Sequence, residues 1–401
     1  MRVPRFEPFR ALRYADSTRP HLEAVTAPPY DVLSEADRTH FATRHPHNIV
    51  HIDVPVESDG PSRYDHAARV LADWVQSGAL VLDDAPSFTI YRMDFTDSLG
   101  RRRRTAGVIG ALEVVDEGAG GVLPHERTTP KAKTDRLDLT RATLANLSPV
   151  WGLSLTPGLT ALLDAPGEPM GSIDIDGVVH TFERVSDRAR VDAISRAVGG
   201  HEVVIADGHH RYAISRTFRD EQRSTPTAAL GSAETTMTYI GELIEDQLSV
   251  DAIHRLYTGI TADDLATALE NFFDTHEAGP ITLDITNDMR ERGALVLVRP
   301  DRSGLFLVPR DGSFAGVRNL DGARLEHALA NVSHEVTYQH GVDHVLDIVA
   351  SGAAAAGVLI RPVTVAEIRR TADEGLLMPP KSTFFTPKLR TGPVIRPLGT
   401  A

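Results

Sequence analysis

Cysteine is absent from the 401 residues, which excludes disulfides, thiolate zinc sites and cysteine nucleophiles. A secretory h-region is missing too: "MRVPRFEPFRALRYADS" is interrupted by Pro4, Pro8 and several arginines, so a cytoplasmic protein is expected. The longest weakly polar run, "IVASGAAAAGVLI" from Ile348 to Ile360, is too short to span a bilayer and reads as a helix, a tight glycine turn and a buried strand. No long basic stripe offsets the excess of 55 acidic over 42 basic residues and the formal charge of -13. Nucleic acid is therefore disfavoured as the main ligand, because backbone phosphates need clustered Lys and Arg. The one basic run, Arg101 to Arg104, reads as the solvated flank of a hairpin turn. Walker loops, G-x-G-x-x-G fingerprints, G-x-S-x-G elbows and H-E-x-x-H pairs do not occur. Repeats of solenoid length do not occur either.

What is present is globular composition, 41% hydrophobic and 24% charged, with helical and strand patterns interleaved. Ser34 followed by Asp37 marks a helix start. "NIVHIDVPV" alternates like a strand. "YDHAARVLADWVQSGAL" places Ala68, Leu71, Ala72 and Val75 on one helical face before Gly78 stops it. "SFTIYRMDF" and "TAGVIGALEVV" read as paired strands, and "ITLDI", "ALVLVRP" and "GLFLVPR" as extended elements of a later set. The expected class is α/β (mixed α+β), with a boundary near residue 226. It separates a catalytic region, 1–225, from a second α/β region, 226–401, whose C-terminal loop returns to the site.

The chemistry concentrates in "VVIADGHHRYAIS", Val203 to Ser215. Val203 to Ile205 make a short buried strand, Gly208 permits a sharp turn, and the residues after it continue as a helix. The free N–H groups and dipole of a helix start suit an anion such as phosphate. His209, His210 and Arg211 add donors. A carboxylate at such a place is costly unless it binds a metal or accepts a proton, which makes Asp207 a candidate base for an attacking hydroxyl. A helix cap is the plainer alternative for a lone Asp-Gly pair; five polar or glycine residues in succession favour function. "PHERT" supplies His125, Glu126 and Arg127, followed by Lys131, Lys133, Asp135 and Arg136, either a solvated charge run or a second anion-binding face. "MPPKSTFFTPKL" carries Lys381, Ser382, Thr383 and Lys388 on a proline-stiffened loop, and "APPYDV" carries Tyr30 and Asp31.

Taken together, "APPYDV", "PHERT" with its following "DRL", "ADGHHRY", the "HRL" of His254 to Leu256 and "MPPKSTFFTPKL" resemble, in this order and over nearly the whole chain, the family called domain of unknown function 1015. The "DGHHR" stretch also resembles the phosphate-holding loop of the ParB/sulfiredoxin-like nucleotide-binding fold, and within it that of the free serine kinases. The sulfiredoxin cysteine has no counterpart, so sulfinic acid reduction is excluded.

The resemblance implies a ParB/sulfiredoxin-like core and phosphorylation of free L-serine, or a similar small hydroxyl compound, to O-phosphoserine. Asp207 would be the base, with His210 beside it as a catalytic candidate. Gly208, His209, His210 and Arg211 would cradle phosphate. Around them, His125, Glu126, Arg127, Lys131, Lys133, Lys381, Ser382 and Thr383 are candidates for the donor, and Tyr30 and Asp31 for the substrate. The donor is ATP, ADP or pyrophosphate, with magnesium expected. Metal ligands and oligomeric state are not specified by the sequence, and neither a nucleic-acid nor a membrane partner is expected. The alternatives are a nucleotide-binding regulator of the ParB-like type and a metal-dependent phosphoesterase using Asp207, His209, His210 and His125.

Overall fold

The computed structural model describes residues 2–57, 62–98, 100–124, 133–225 and 231–399. The chain is mixed α/β and forms two compact units, Met1–Ser249 with Thr386–Ala401, and Val250–Phe385. Among the described residues no helix is long and apolar enough to cross a membrane.

The first unit is built on a nine-stranded sheet. Its strands are β1 (Phe6–Glu7), β2 (Phe88–Thr96), β3 (Arg102–Glu113), β4 (Val122–Pro124), β5 (Val150–Ser154), β6 (Glu168–Ile175), β7 (Val178–Val185), β8 (Val203–Asp207) and β9 (Thr235–Glu242). In space they run β4-β8-β5-β9-β3-β2-β7-β6, and β1 pairs with β3 where β2 has ended. β8 is parallel to β4 and antiparallel to β5, and β5 is parallel to β9. Every residue of β9 is buried, as expected of a central strand covered on both faces. Gly107 of β3 explains itself here: a Cβ at that position would sit 2.3 Å from the ring of Tyr239 on β9, so the ring occupies the space a side chain would take.

Four helices of this unit matter for the site: α1 (Arg63–Gln76), α2 (Lys133–Thr143), α3 (Arg188–Val198) and α4 (His209–Arg223). Ile194 and Val198 of α3 and Tyr212 of α4 pack with Phe88, Val108, Val203 and Ile240 in one apolar cluster. The Tyr212 hydroxyl accepts from the Val115 N–H and donates to the Glu113 carbonyl, both at 2.9 Å, which ties α4 to the end of β3. The expected boundary near 226 falls inside this unit, because β9 is hydrogen-bonded to both β3 and β5. The last residues rejoin it through backbone bonds from Thr391 to Ala27, Ile395 to Leu12 and Leu398 to Leu144.

The second unit carries β10 (Ile253–Thr258), β11 (Phe273–Pro280), β12 (Leu295–Val298), β13 (Ser303–Pro309), β14 (Glu335–His340) and β15 (Ala356–Leu359), in the order β11-β13-β12-β15-β10-β14 and antiparallel throughout. Alternate residues of β12 serve opposite faces: Leu295 and Leu297 join one apolar cluster, Val296 and Val298 the other.

Three local expectations change. "NIVHIDVPV" holds a helical turn, Val50–Asp53, where a strand was expected. Asn48 anchors that turn: its Nδ2 donates to the Ala24 carbonyl at 2.7 Å, and its Oδ1 accepts from the Val50 N–H at 3.1 Å. A short alternating run cannot distinguish a strand from a buried turn when a side chain supplies the backbone's partners. α1 buries Ala67, Leu71 and Trp74, one residue round from the expected face, because Trp74 packs against Tyr14 and His47. "ITLDI" leads into the helix Ile285–Arg292, and the strand lies just before it as β11; Ile281 and Ile285 fill the core beside that helix.

Candidate functional site

β8 is buried from Val203 to Ala206 and delivers Asp207 at its end. Gly208 follows in the left-handed region, φ 83°, and serves as the N-cap of α4. An L side chain is strained at that φ, which is what requires glycine there, and a Cβ would also crowd Arg211 Nε at 2.9 Å. His209, His210 and Arg211 form the first helical turn, where backbone N–H groups have no partner within the helix and the dipole is positive.

Asp207 Oδ2 accepts from Arg211 Nη2 at 3.0 Å, and Lys388 Nζ lies 3.5 Å from Asp207 Oδ1. Arg211 also donates from Nη1 to the Pro149 carbonyl, and Asp31 Oδ2 stands 3.8 Å from its Nη2. Burial works against the Arg211 charge, yet Asp31 and Asp207 outweigh it and hold the guanidinium above its ordinary range. Arg211 therefore bonds back onto Asp207, within the same loop. Lys388 brings a cation from the "TPKL" loop to the same carboxylate.

Tyr30 and Asp31 lie in a short turn, Tyr30–Val32, after Pro29. The Arg136 guanidinium of α2 sits 4.2 Å over the Tyr30 ring centroid, and burial pushes the Tyr30 hydroxyl up to about 12. Arg136 bonds Asp135 Oδ2 through Nε at 2.8 Å and Asp53 Oδ1 through Nη1 at 3.3 Å. Asp53 is buried, which raises its carboxyl against the pull of Arg136 and Arg211. At Asp135 burial acts in the raising direction, but Arg136 and the hydroxyl of Tyr64 prevail and the carboxyl is lowered. Tyr30, Asp53, Arg136 and Arg211, with Asn146 and Ser148, line a small cleft of about 50 Å³ that opens to solvent.

The structure thus gathers Tyr30, Asp31, Asp207 and Arg211 in one place, with His209 and His210 on the same helical turn. Asp53 was not singled out from the sequence: it lies in the run expected to be a strand, and no residue pattern marks it. Arg136 was visible as part of a charged run and of the "DRL" that follows "PHERT" in the family resemblance. His125, Glu126, Arg127 and Lys131 lie outside the described residues, as does the side chain of Lys133. Lys381, Ser382 and Thr383 belong to the second unit. There the Lys381 carbonyl accepts from Arg255 Nη1 at 3.1 Å, and Ser382 Oγ donates to the Pro379 carbonyl at 2.7 Å. In the "HRL" stretch, His254 Nδ1 accepts from the Ile360 N–H at 3.2 Å and Arg255 stacks over Tyr338. Among the described residues no group of three or more His, Asp or Glu side chains is placed to hold a metal ion.

A family model described as "Protein of unknown function (DUF1015)" matches residues 6–323. The chain belongs to this family. The DUF1015 match takes in the Tyr30–Asp31 turn, Asp53, Arg136 and the whole Asp207–Arg211 loop, and ends before Lys388. No curated protein matches the chain. Among solved structures it is similar to a conserved hypothetical protein from Pyrococcus furiosus, at 12% identity and TM-score 0.37, over 66% of this chain and 87% of that one. It is also similar to a free serine kinase in complex with AMP, at 13% identity and TM-score 0.37, over 66% and 83%. A third is SbnI with C-terminal truncation from Staphylococcus aureus, at 12% identity and TM-score 0.40, over 72% and 87%.

Proposed function

We propose that this DUF1015 protein is a phosphotransferase that transfers a phosphoryl group to the hydroxyl of a small molecule, with free L-serine the leading acceptor and O-phosphoserine the product. The observation that carries the reading is Asp207: a carboxylate at a strand end, beside a helix N-terminus, aimed by Arg211 at 3.0 Å and Lys388 at 3.5 Å. The resemblance of "DGHHR" to the free serine kinases supports the choice of acceptor.

In the proposed step the acceptor hydroxyl oxygen forms a bond to phosphorus as the bond from phosphorus to the donor's leaving oxygen breaks. Asp207 receives the hydroxyl proton. Negative charge on the transferring group meets the first turn of α4 with His209 and His210, and Lys388, whose side chain is 15% exposed, lies near enough to share that task. Arg211, bonded to Asp207 at 3.0 Å, positions that carboxylate and remains a candidate for the donor phosphates. ATP, ADP and pyrophosphate are the proposed donors. Magnesium is the expected companion of such a donor, held chiefly by the donor's own phosphates, since both Asp207 oxygens lie against cations. When bound, it would neutralise phosphate charge.

Phosphorus NMR of the protein with magnesium, L-serine and each donor in a separate tube tests the reading. A new phosphomonoester signal matching O-phosphoserine is expected. Donor consumption without that signal points to a hydrolase or another acceptor. If every donor stays intact, the kinase reading fails and a nucleotide-binding regulator takes its place.

A further inference from the structure

The cleft beside the Asp207 loop contains charges of both signs whose bonding capacity is only partly used. Arg136 commits Nε to Asp135 and Nη1 to Asp53. Among the described residues its Nη2 makes no hydrogen bond, nor does Asp53 Oδ2. The Asn146 Oδ1 accepts from the Met237 N–H and from Arg396, which leaves its Nδ2 donors for the cleft. Ser148 adds a hydroxyl to the lining.

This composition selects among ligands. A lone anion would meet Arg136 but be repelled by buried Asp53; a lone cation would meet Asp53 but be repelled by Arg136 and Arg211. A molecule with both charges can satisfy Asp53 and Arg136 together, and buried polar groups left unpaired by a lesser ligand penalise its binding. Arg211 forms one wall of the cleft and also bonds Asp207, so one guanidinium links the cleft to the carboxylate proposed as base.

We propose that this cleft is the acceptor site and takes a zwitterionic amino acid, its ammonium on Asp53 and its carboxylate on Arg136 and Asn146, with the side-chain hydroxyl directed to Asp207. The assignment rests on the phosphotransferase reading for its role, while the binding claim is separable from it.

The test is calorimetric titration of the full chain, without donor, with three probes: L-serine, glycerate, which lacks the ammonium, and ethanolamine, which lacks the carboxylate. L-serine is expected to bind and each analogue to bind about tenfold more weakly or worse. Asp53→Asn should weaken L-serine by about tenfold or more while leaving glycerate binding unchanged or stronger. No binding of L-serine at millimolar concentration, or binding of glycerate or ethanolamine as tight as that of L-serine, overturns the proposal. Should Asp53→Asn not fold, the three probes on the native protein still decide the matter. The two readings fail differently. L-serine bound through Asp53 without phosphorylation removes the kinase and keeps the cleft. O-phosphoserine formed with an unchanged KM for serine in folded Asp53→Asn keeps the kinase and removes the cleft.

Discussion

In the first unit Arg13, Asp53, Asp83, Arg219, Arg390 and Arg396 are buried, and the Arg211 side chain is only 10% exposed. In the second unit the buried charged side chains are Arg255 and Asp321, with His254 also buried, and both faces of the sheet are filled by leucine and valine. Burying charge is costly unless partners compensate it. The second unit follows the less costly course: alternating strands against amphipathic helices. The first tolerates ion pairs and buried arginines, among them Asp53 with Arg136 at the cleft and Arg390 and Arg396 in the segment that brings Lys388 back. Burial lowers Arg390 and Arg396 to about 10 each. They are held by hydrogen bonds to Thr26, Ser232 and Thr235. The expense falls where a site needs fixed charges, so substitutions should affect the two units differently.

The largest effect is expected at Asp207→Asn, which keeps shape and removes basicity. Turnover should fall by about 10² to 10⁴ in a protein that still folds, as a general base contributes on that scale. Unchanged turnover removes Asp207 from the chemistry. Next, Arg136→Met leaves Asp53 buried without its guanidinium and should cost about 3 kcal/mol or more in urea unfolding; a loss under about 1 kcal/mol would show that the pair is not what holds the cleft.

Acid sensitivity should be common to both units. Burial pushes His180 down to about 3 and His254 down to about 4, from 6.5. Each is neutral in the fold, so the folded state binds fewer protons than the unfolded chain below pH 6.5. The stability is fully present above that pH and is lost as pH falls, by about 1.4 kcal/mol per pH unit per histidine, until each folded value is reached. His180→Asn and His254→Asn should each shrink the difference between urea midpoints at pH 7 and pH 5; a difference that stays as large in both variants assigns the slope elsewhere.

Gly107→Ala should then cost about 1–3 kcal/mol, since its Cβ meets the Tyr239 ring and a packed interior resists overfilling. A neutral result in thermal unfolding would mean the ring can move. The smallest effect is expected in the second unit at Asp347→Asn. Its pair with Arg302, at 2.7 Å, has side chains 70% and 52% exposed, and its loss should stay within about 0.5 kcal/mol in the same assay.

Legibility followed the same division. Local signals survived folding: Ser34 and Asp37 form a reciprocal cap at the start of Glu35–Arg44. β2 and β3 pair as a hairpin, and "IVASGAAAAGVLI" runs from the helix Val342–Ala350 through Gly352, φ 79°, into β15. The strand, glycine turn and helix around Asp207 were equally local. Asp53 was not legible, because one turn of helix anchored by Asn48 looks like an alternating strand. Nor was the direction of Arg211, because a first-turn arginine can face a ligand or fold back on the residue before its glycine, and neighbours distant in sequence choose.

By itself, the sequence determined the mixed α/β class, the strand-to-helix junction with glycine at its centre, and the polar residue types gathered there. Each depends on periodicity or on steric limits within a few residues. Only the tertiary structure decided that Lys388 joins Asp207, that Arg211 turns inward, and that Asp53 and Arg136 share a cleft. Those outcomes depend on which charges can compensate one another once buried, and that is fixed by packing between segments far apart in the chain.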